Sequence, residues 1–241
     1  MIRLFHVSDV HFGAEDRAAI AWFDAAVRDE RPDAVIMTGD LTMRAKSAEF
    51  AAASAWLEGL NRPVTVEVGN HDLPLFNIFA RLFRPYRRYL KLESMIEKPL
   101  ALPGVAVVPL KTTTRFQWRN WSKGSVSDGS LRRALAGVAE TDSTSLVIIA
   151  CHHPLIEAGT QATARTHGGR DALAALAAAG ADVVLSGHVH DPFDKLHQEG
   201  DRTIRLIGAG TLSCRTRETR PGFNELRIDG GKLDVVHRAM D

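Results

Sequence analysis

The chain has 241 residues, 45% hydrophobic and 24% charged, which fits one globular α/β domain, since a single core can run to roughly 250 residues. Its 30 basic and 29 acidic residues leave a net charge of +1 with ten histidines counted neutral, so no overall field marks a general nucleic-acid or membrane binder. Cys151 and Cys214 have neither metal-type spacing nor a disulfide framework, no apolar run approaches ~18 residues, and the N-terminus reads as a strand rather than a signal peptide. A cytoplasmic protein with reduced thiols is therefore expected.

In chain order, short β-rich runs alternate with helical patterns. Ile2–Ser8 reads as a strand and residues 16–30 as a helix; Ala34–Thr38 and 47–60 repeat the pair, and Val64–Val68 supplies a third strand. Residues 73–100, LPLFNIFARLFRPYRRYLKLESMIEKPL, are too long for an ordinary connection and too apolar for a disordered one. They read as a helical insertion, a cap or an oligomerisation element, which Pro85 splits by removing a backbone donor and turning Arg84 from helical geometry. The alternation resumes with strand Val105–Pro109, helix 128–140, strand Leu146–Cys151, an Ala-rich helix at 170–179 and strand Val183–Ser186. Thr203–Ile207, Asn224–Ile228 and Leu233–His237 then follow as strands without helices, with DGG at 229–231 as a hairpin signal. The whole chain, 1–241, reads as one α/β domain containing a mixed sheet, or two packed sheets, flanked by helices.

Polar residues collect where these strands end: Asp9 and His11 in SDVH, Asp40 in TGDL, Asn70, His71 and Asp72 in GNHD, His152 and His153 in CHHP, His188 and His190 in SGHVH. In open α/β sheets the ligand crevice lies beyond the carboxyl ends of the strands, so clusters spread from residue 9 to residue 190 are expected to meet in one site. Asp9 and His11 are two apart, as are His188 and His190, and in extended backbone that spacing points both side chains to one face. Imidazole, carboxylate and amide donors without thiolate suit Mn, Fe, Zn, Co or Ni, and are too histidine-rich for a Mg²⁺ or Ca²⁺ cage.

The blocks D-x-H, G-D, G-N-H-D, H and G-H-x-H, in this order, resemble the calcineurin-like metallophosphoesterase superfamily, and the compact length is similar to its cyclic-nucleotide and glycerophosphodiester branch. The resemblance implies a four-layer αββα sandwich of two mixed sheets. It also implies a dinuclear centre of two divalent transition-metal ions (Mn, Fe, Zn or Co). Asp9, His11 and His190 would hold one ion, Asn70, His152 and His188 the other, and Asp40 would bridge them, a carboxylate being able to span ions ~3.5–4 Å apart. The implied reaction is in-line attack at phosphorus by a metal-bridging hydroxide, with His71 beside the leaving group as proton donor and Asp72 as its orienter or a helix N-cap. Two divalent ions, two carboxylates and a hydroxide leave one positive charge, which a phosphodiester monoanion would neutralise. The expected partner is thus a small-molecule phosphoester.

Other residues carry looser expectations. His153, Arg44 and Arg81 are candidates for substrate contact; His153 could equally support the ligand sphere, and Arg44 could simply lead a helix. His6, His167, His197 and His237 match no block and are read as structural. The basic and aromatic residues of 73–92, together with Arg115, Trp118, Arg119, Trp121 and Lys123, could bind phosphate, a base or a lipid tail, or could pack an amphipathic helix pair against the core or a second copy in a homo-oligomer. The insertion motivates an alternative function, hydrolysis of a nucleotide- or lipid-linked diphosphate in the manner of a UDP-diacylglucosamine diphosphatase. A non-catalytic metal-binding scaffold, the other class, predicts lost ligands, and every position is filled.

Overall fold

The computed structural model describes residues 1–241 except 76, 99, 116–119, 121 and 164, so Phe76, Trp118, Arg119 and Trp121 lie outside the described residues. The first sheet holds β1 (Ile2–Val7), β2 (Ala34–Met37), β3 (Val64–Val66), β9 (Gly222–Asp229) and β10 (Lys232–Ala239), in the order β10-β9-β1-β2-β3. The second holds β4 (Val105–Pro109), β5 (Leu146–Ala150), β6 (Val183–Ser186), β7 (Phe193–Glu199) and β8 (Arg202–Gly208), in the order β4-β5-β6-β8-β7. In the first sheet β1, β2 and β3 run parallel and β9 is antiparallel to both β1 and β10; in the second β4, β5, β6 and β8 run parallel and β7 is antiparallel to β8, so both sheets are mixed.

Period-two alternation builds the layers. On β1, β2 and β5, Leu4, Ile36 and Ile148 point between the sheets, where they meet Val183, Leu185, Ile207 and Leu226. Their neighbours Phe5, Val35 and Met37 point outward under α1 (Arg17–Glu30) and α2 (Ser47–Gly59). Val147 and Ile149 likewise meet α5 (Asp128–Ala139) and α6 (Gly169–Ala179). Side chains on both faces of a parallel strand must be apolar when both faces are covered, which is why these runs are continuously hydrophobic. The result is the four-layer arrangement expected. Phe5, Phe23 and Phe223 interlock at centroid separations of 4.8 and 5.0 Å, fastening α1 to the first sheet.

Local chemistry sets the helix ends. Asp16 accepts the amides of Ala18 and Ala19 at the start of α1, and Ser127 accepts that of Ser130 at the start of α5. The insertion forms α3 (Ile78–Phe83) and α4 (Arg87–Ile96), separated at Pro85 as its chemistry requires. The sequence reading missed β7. Its residues FDKLHQE form an outer strand that is mostly exposed, so they lack the apolar alternation of a half-buried strand. Among the described residues no helix is long and apolar enough to cross a membrane, and Cys151 and Cys214 are unpaired.

Candidate metal centre

The parallel strands β1, β2, β3, β5, β6 and β8 deliver their carboxyl ends to one edge of the two-sheet stack, and the polar clusters meet there. The strands stop short of the clusters, however. Asp9, His11, Asp40, His188 and His190 all have left-handed backbone, with φ of 56°, 51°, 55°, 72° and 56°. The expectation that each D-x-H and H-x-H pair sits on extended chain is therefore corrected. Such conformations cost of order 1–3 kcal/mol each at non-glycine residues and persist only where surrounding bonds enforce them. Those bonds are present: the amides of Asp9 and His11 donate to the carbonyls of Gly39 and Asp40, both at 3.0 Å, and the amide of Gly187 donates to that of His152 at 2.9 Å. Two glycines make room. A Cβ at Gly69 would lie 2.0 Å from Asp40 Oδ1, and one at Gly187 1.8 Å from Ser8 Oγ.

The side chains converge with acceptors facing acceptors. His190 Nδ1 lies 2.7 Å from the Arg215 carbonyl, which can only accept, so that nitrogen carries the proton. Its Nε2 then stands 3.0 Å from Asp9 Oδ1 and 3.2 Å from His11 Nε2. His152 repeats the device: Nδ1 donates to the Thr38 carbonyl at 2.8 Å, and Nε2 stands 3.1 Å from Asn70 Oδ1 and 3.4 Å from Asp40 Oδ2. Asp40 Oδ2 is also 3.7 Å from His11 Nε2, which sets it between the two groups. Lone pairs at these separations repel unless a proton or a metal ion lies among them. Asp9 Oδ1, moreover, is buried and accepts no hydrogen bond. Within 4.8 Å of one another lie ligand atoms of Asp9, His11 and His190, of Asp9, Asp40 and His152, and of His152, His153 and His188. The donor set and its geometry fit two transition-metal ions.

Without an ion, protonated imidazoles supply the positive charge that the carboxylates face. Burial alone would raise the carboxyls of Asp9 and Asp40, yet the neighbouring histidines, His190 foremost for Asp9 and His152 for Asp40, hold both well below the usual range. Burial would likewise lower His152, but Asp40 and Asp9 push it up to about 9. His188 has no such close partner; burial, then His152, takes it down to about 3, leaving a neutral imidazole ready to ligate.

Four of the expected site residues make contacts that bear on their roles. His71 Nδ1 lies 2.8 Å from the Met43 carbonyl and Nε2 lies 3.1 Å from Arg215 Nη1. A carbonyl only accepts and a guanidinium only donates, so in this arrangement Nδ1 donates to Met43 and Nε2 is turned to Arg215. Asp72 is buried and braces the backbone instead of orienting that ring: it accepts the amides of Leu41, Thr42 and Gly69 at 3.2, 2.8 and 2.9 Å and the Thr42 hydroxyl at 2.9 Å. Nor does it cap the following helix, where Asn77 is the N-cap. His153 is buried with both ring nitrogens engaged, at 3.0 Å by Thr112 Oγ1 and at 3.2 Å by the Ser122 carbonyl, so its ring is committed to Thr112 and Ser122. Arg81, also buried, donates from Nε to the Arg115 carbonyl at 2.9 Å and anchors the insertion to residues 114–115. Arg44 is exposed and its amide meets Glu49 Oε2 at 2.8 Å, in keeping with a helix-leading residue.

Above the centre lies a cleft of about 270 Å³ whose lining includes Asn70, His71, Asn120, Lys123, Arg215 and Arg217. Arg215 and Arg217 were missed by the sequence reading. Arg215 Nη1 reaches both His71 Nε2 and, at 3.3 Å, His11 Nε2. A usable signal existed, for β8 runs parallel to β6, so the rule applied to the other strand ends also points to the segment following Gly208.

A two-sheet αββα sandwich with paired histidine–aspartate groups at one sheet edge defines a dinuclear metal phosphoesterase. Residues 2–192 match the calcineurin-like phosphoesterase family, and the chain belongs to it. A dimetal phosphatase from Danio rerio shares the fold with a TM-score of 0.74 at 15% identity, over 99% of this chain and 96% of that one. Purple acid phosphatase PPD1 from yellow lupin does so with a TM-score of 0.69 at 14% identity, over 99% of this chain and 51% of the lupin protein. In sequence, the glycerophosphodiester phosphodiesterase GpdQ of Enterobacter lignolyticus is 30% identical over 80 residues, which is 29% of this chain and 29% of that enzyme.

Proposed function

We propose that this protein is a phosphodiesterase that uses two metal ions. Asp9, His11 and His190 hold one ion, Asn70, His152 and His188 the other, and Asp40 is shared. The observation that carries the reading is the pair of opposed acceptor sets on either side of Asp40. When bound, the ions supply a nucleophile from water at neutral pH and offset charge on the phosphoryl oxygens. The chain's own residues do the rest. Thr38 and Arg215 carbonyls fix the tautomers of His152 and His190, so that Nε2 of each presents a lone pair. His71, held by Met43, directs Arg215 into the cleft, where its guanidinium meets the phosphoryl group or the departing oxygen. Asn70 adds an oxygen ligand without adding negative charge, which keeps the centre matched to a monoanionic diester. The local likeness to GpdQ supports the same choice, and the unpaired cysteines agree with a cytoplasmic setting.

The exposed apolar insertion favours a second reading, a lipid-linked diphosphate as substrate. One experiment separates them: strip the protein of metal, restore Mn²⁺, Zn²⁺ or Fe²⁺ singly, and compare kcat/KM on a diester, a monoester and a pyrophosphate. Metal-dependent preference for the diester is expected. A higher kcat/KM on the pyrophosphate would select the second reading, and metal binding without hydrolysis of any phosphoester would leave a scaffold.

A further inference from the structure

Seven of the ten large apolar side chains that are exposed among the described residues fall between positions 75 and 95. Helix α3 is inverted relative to an ordinary surface helix. Its buried residue is Arg81, while Ile78, Phe79, Leu82 and Phe83 face outward with exposures of 63%, 79%, 39% and 76%. The inversion has a cause, because the Arg81 guanidinium is drawn inward by the carbonyls of Arg115, Thr114 and Pro74, and the apolar face of α3 must then point away. Helix α4 behaves normally, burying Tyr89, Leu92 and Ile96. Between α3–α4 and α2 runs a groove of about 930 Å³ into which Phe50, Phe79, Phe83 and Met95 look.

Charge selects what covers this face. No acidic residue occurs from 73 to 92. Arg84, Arg87 and Lys91 line the groove, are exposed, and form no ion pair among the described residues; the acids in its lining are Glu58, on α2, and the buried Asp72. A second copy packed by two-fold symmetry would set this cationic strip near its own image. Exposed aromatic and aliphatic side chains flanked by arginine and lysine instead match the interfacial zone of an anionic bilayer, where rings enter the headgroup boundary and cations meet lipid phosphates.

We propose that the 75–95 insertion is a peripheral docking face for anionic lipid surfaces. It holds the protein reversibly, and it does not depend on the phosphodiesterase reading. Because α3 begins at Ile78, shortly after His71 and Asp72, and is tied through Arg81 to the carbonyls of Thr114 and Arg115, docking brings the metal cleft near the lipid surface.

The test uses the full chain, sedimented with phosphatidylcholine vesicles with and without phosphatidylglycerol. Binding to the anionic vesicles alone, weakened by salt, is expected. Arg84→Glu with Lys91→Glu should reduce it by more than tenfold, since each cation near an anionic surface contributes roughly fivefold. Phe79→Ser with Phe83→Ser should reduce it similarly without lowering Tm, as both rings are exposed. Failure of the wild type to sediment with anionic vesicles overturns the proposal. So does equal binding by both double variants, or a dimer in sedimentation velocity that the phenylalanine variants dissociate while vesicles are ignored.

Discussion

At the scale of single residues the centre is governed by which nitrogen carries a proton. Thr38, Arg215 and Met43 each offer a backbone carbonyl to Nδ1 of one histidine, turning Nε2 of His152, His190 and His71 toward the middle of the site. Two of those nitrogens face acceptors, and the third, near ligand-type atoms of His11 and Asp40, faces Arg215. His71→Ala and Arg215→Ala are both expected to retain two metals per chain by elemental analysis while losing about 10- to 1000-fold in kcat/KM on a diester, the scale of one lost charge-stabilising donor. Arg215→Lys should restore part of the loss in the wild-type background, partial because lysine lacks the guanidinium fork, but not beside His71→Ala, where no acceptor is left to aim the ammonium. Loss of metal in either alanine variant would move that residue into the ligand sphere.

Between elements the tightest electrostatic seam joins β3 to α4. Tyr89 donates its hydroxyl to the Val66 carbonyl, Glu97 accepts the Val66 amide at 3.2 Å, and Glu67 is buried at the end of the strand. Burial first, then Glu97 and Glu93, push the Glu67 carboxyl well above its ordinary range, with His152 pulling weakly the other way. In the unfolded chain Glu67 ionises in the normal carboxylate range. Its contribution to stability is therefore complete below that range and lost as pH climbs through the raised value, at about 1.4 kcal/mol per pH unit while the two states differ by one proton. Glu67→Gln should melt higher than wild type at neutral and alkaline pH, with the advantage vanishing in acid. Parallel thermal melts across pH measure it, and a pH-independent difference would mean that packing, not ionisation, dominates.

Across the whole molecule the two sheets must be pressed together before these side chains can meet, because Asp9, Asp40 and Asn70 follow strands of the first sheet and His152, His188 and His190 follow strands of the second. Ile148, fully buried between the sheets, belongs to the layer that sets their spacing. Ile148→Ala is expected to cost ~2–5 kcal/mol of stability, as for other large-to-small changes in a core. Metal that binds only the folded form should return part of this as a higher Tm. The same Mn²⁺ addition should raise Tm far less in His190→Ala. Differential scanning calorimetry with and without metal tests both, and an equal rise in His190→Ala would remove that residue from the ion.

By itself the sequence determined the element order apart from β7, through continuously apolar runs such as Leu4-Phe5, Val35-Ile36 and Val147-Ile148, together with the break at Pro85 and the set of metal-binding residue types at the strand ends. These are local properties: hydropathy along the chain, a missing amide hydrogen, and the donor atoms a side chain owns. Tertiary structure alone decided the rest. The left-handed turns at Asp9 and His190 exist because partners far along the chain hold them. Asp72, His153 and Arg81 lie inside, spending their hydrogen bonds on backbone and loops, so a charged or imidazole side chain beside a motif was no guide to substrate contact. Arg215 entered the cleft from a segment without a motif, because β8 ends at the edge where β1, β2 and β6 end. The outward face of α3 could not be foreseen either, since it follows from where three carbonyls draw one arginine.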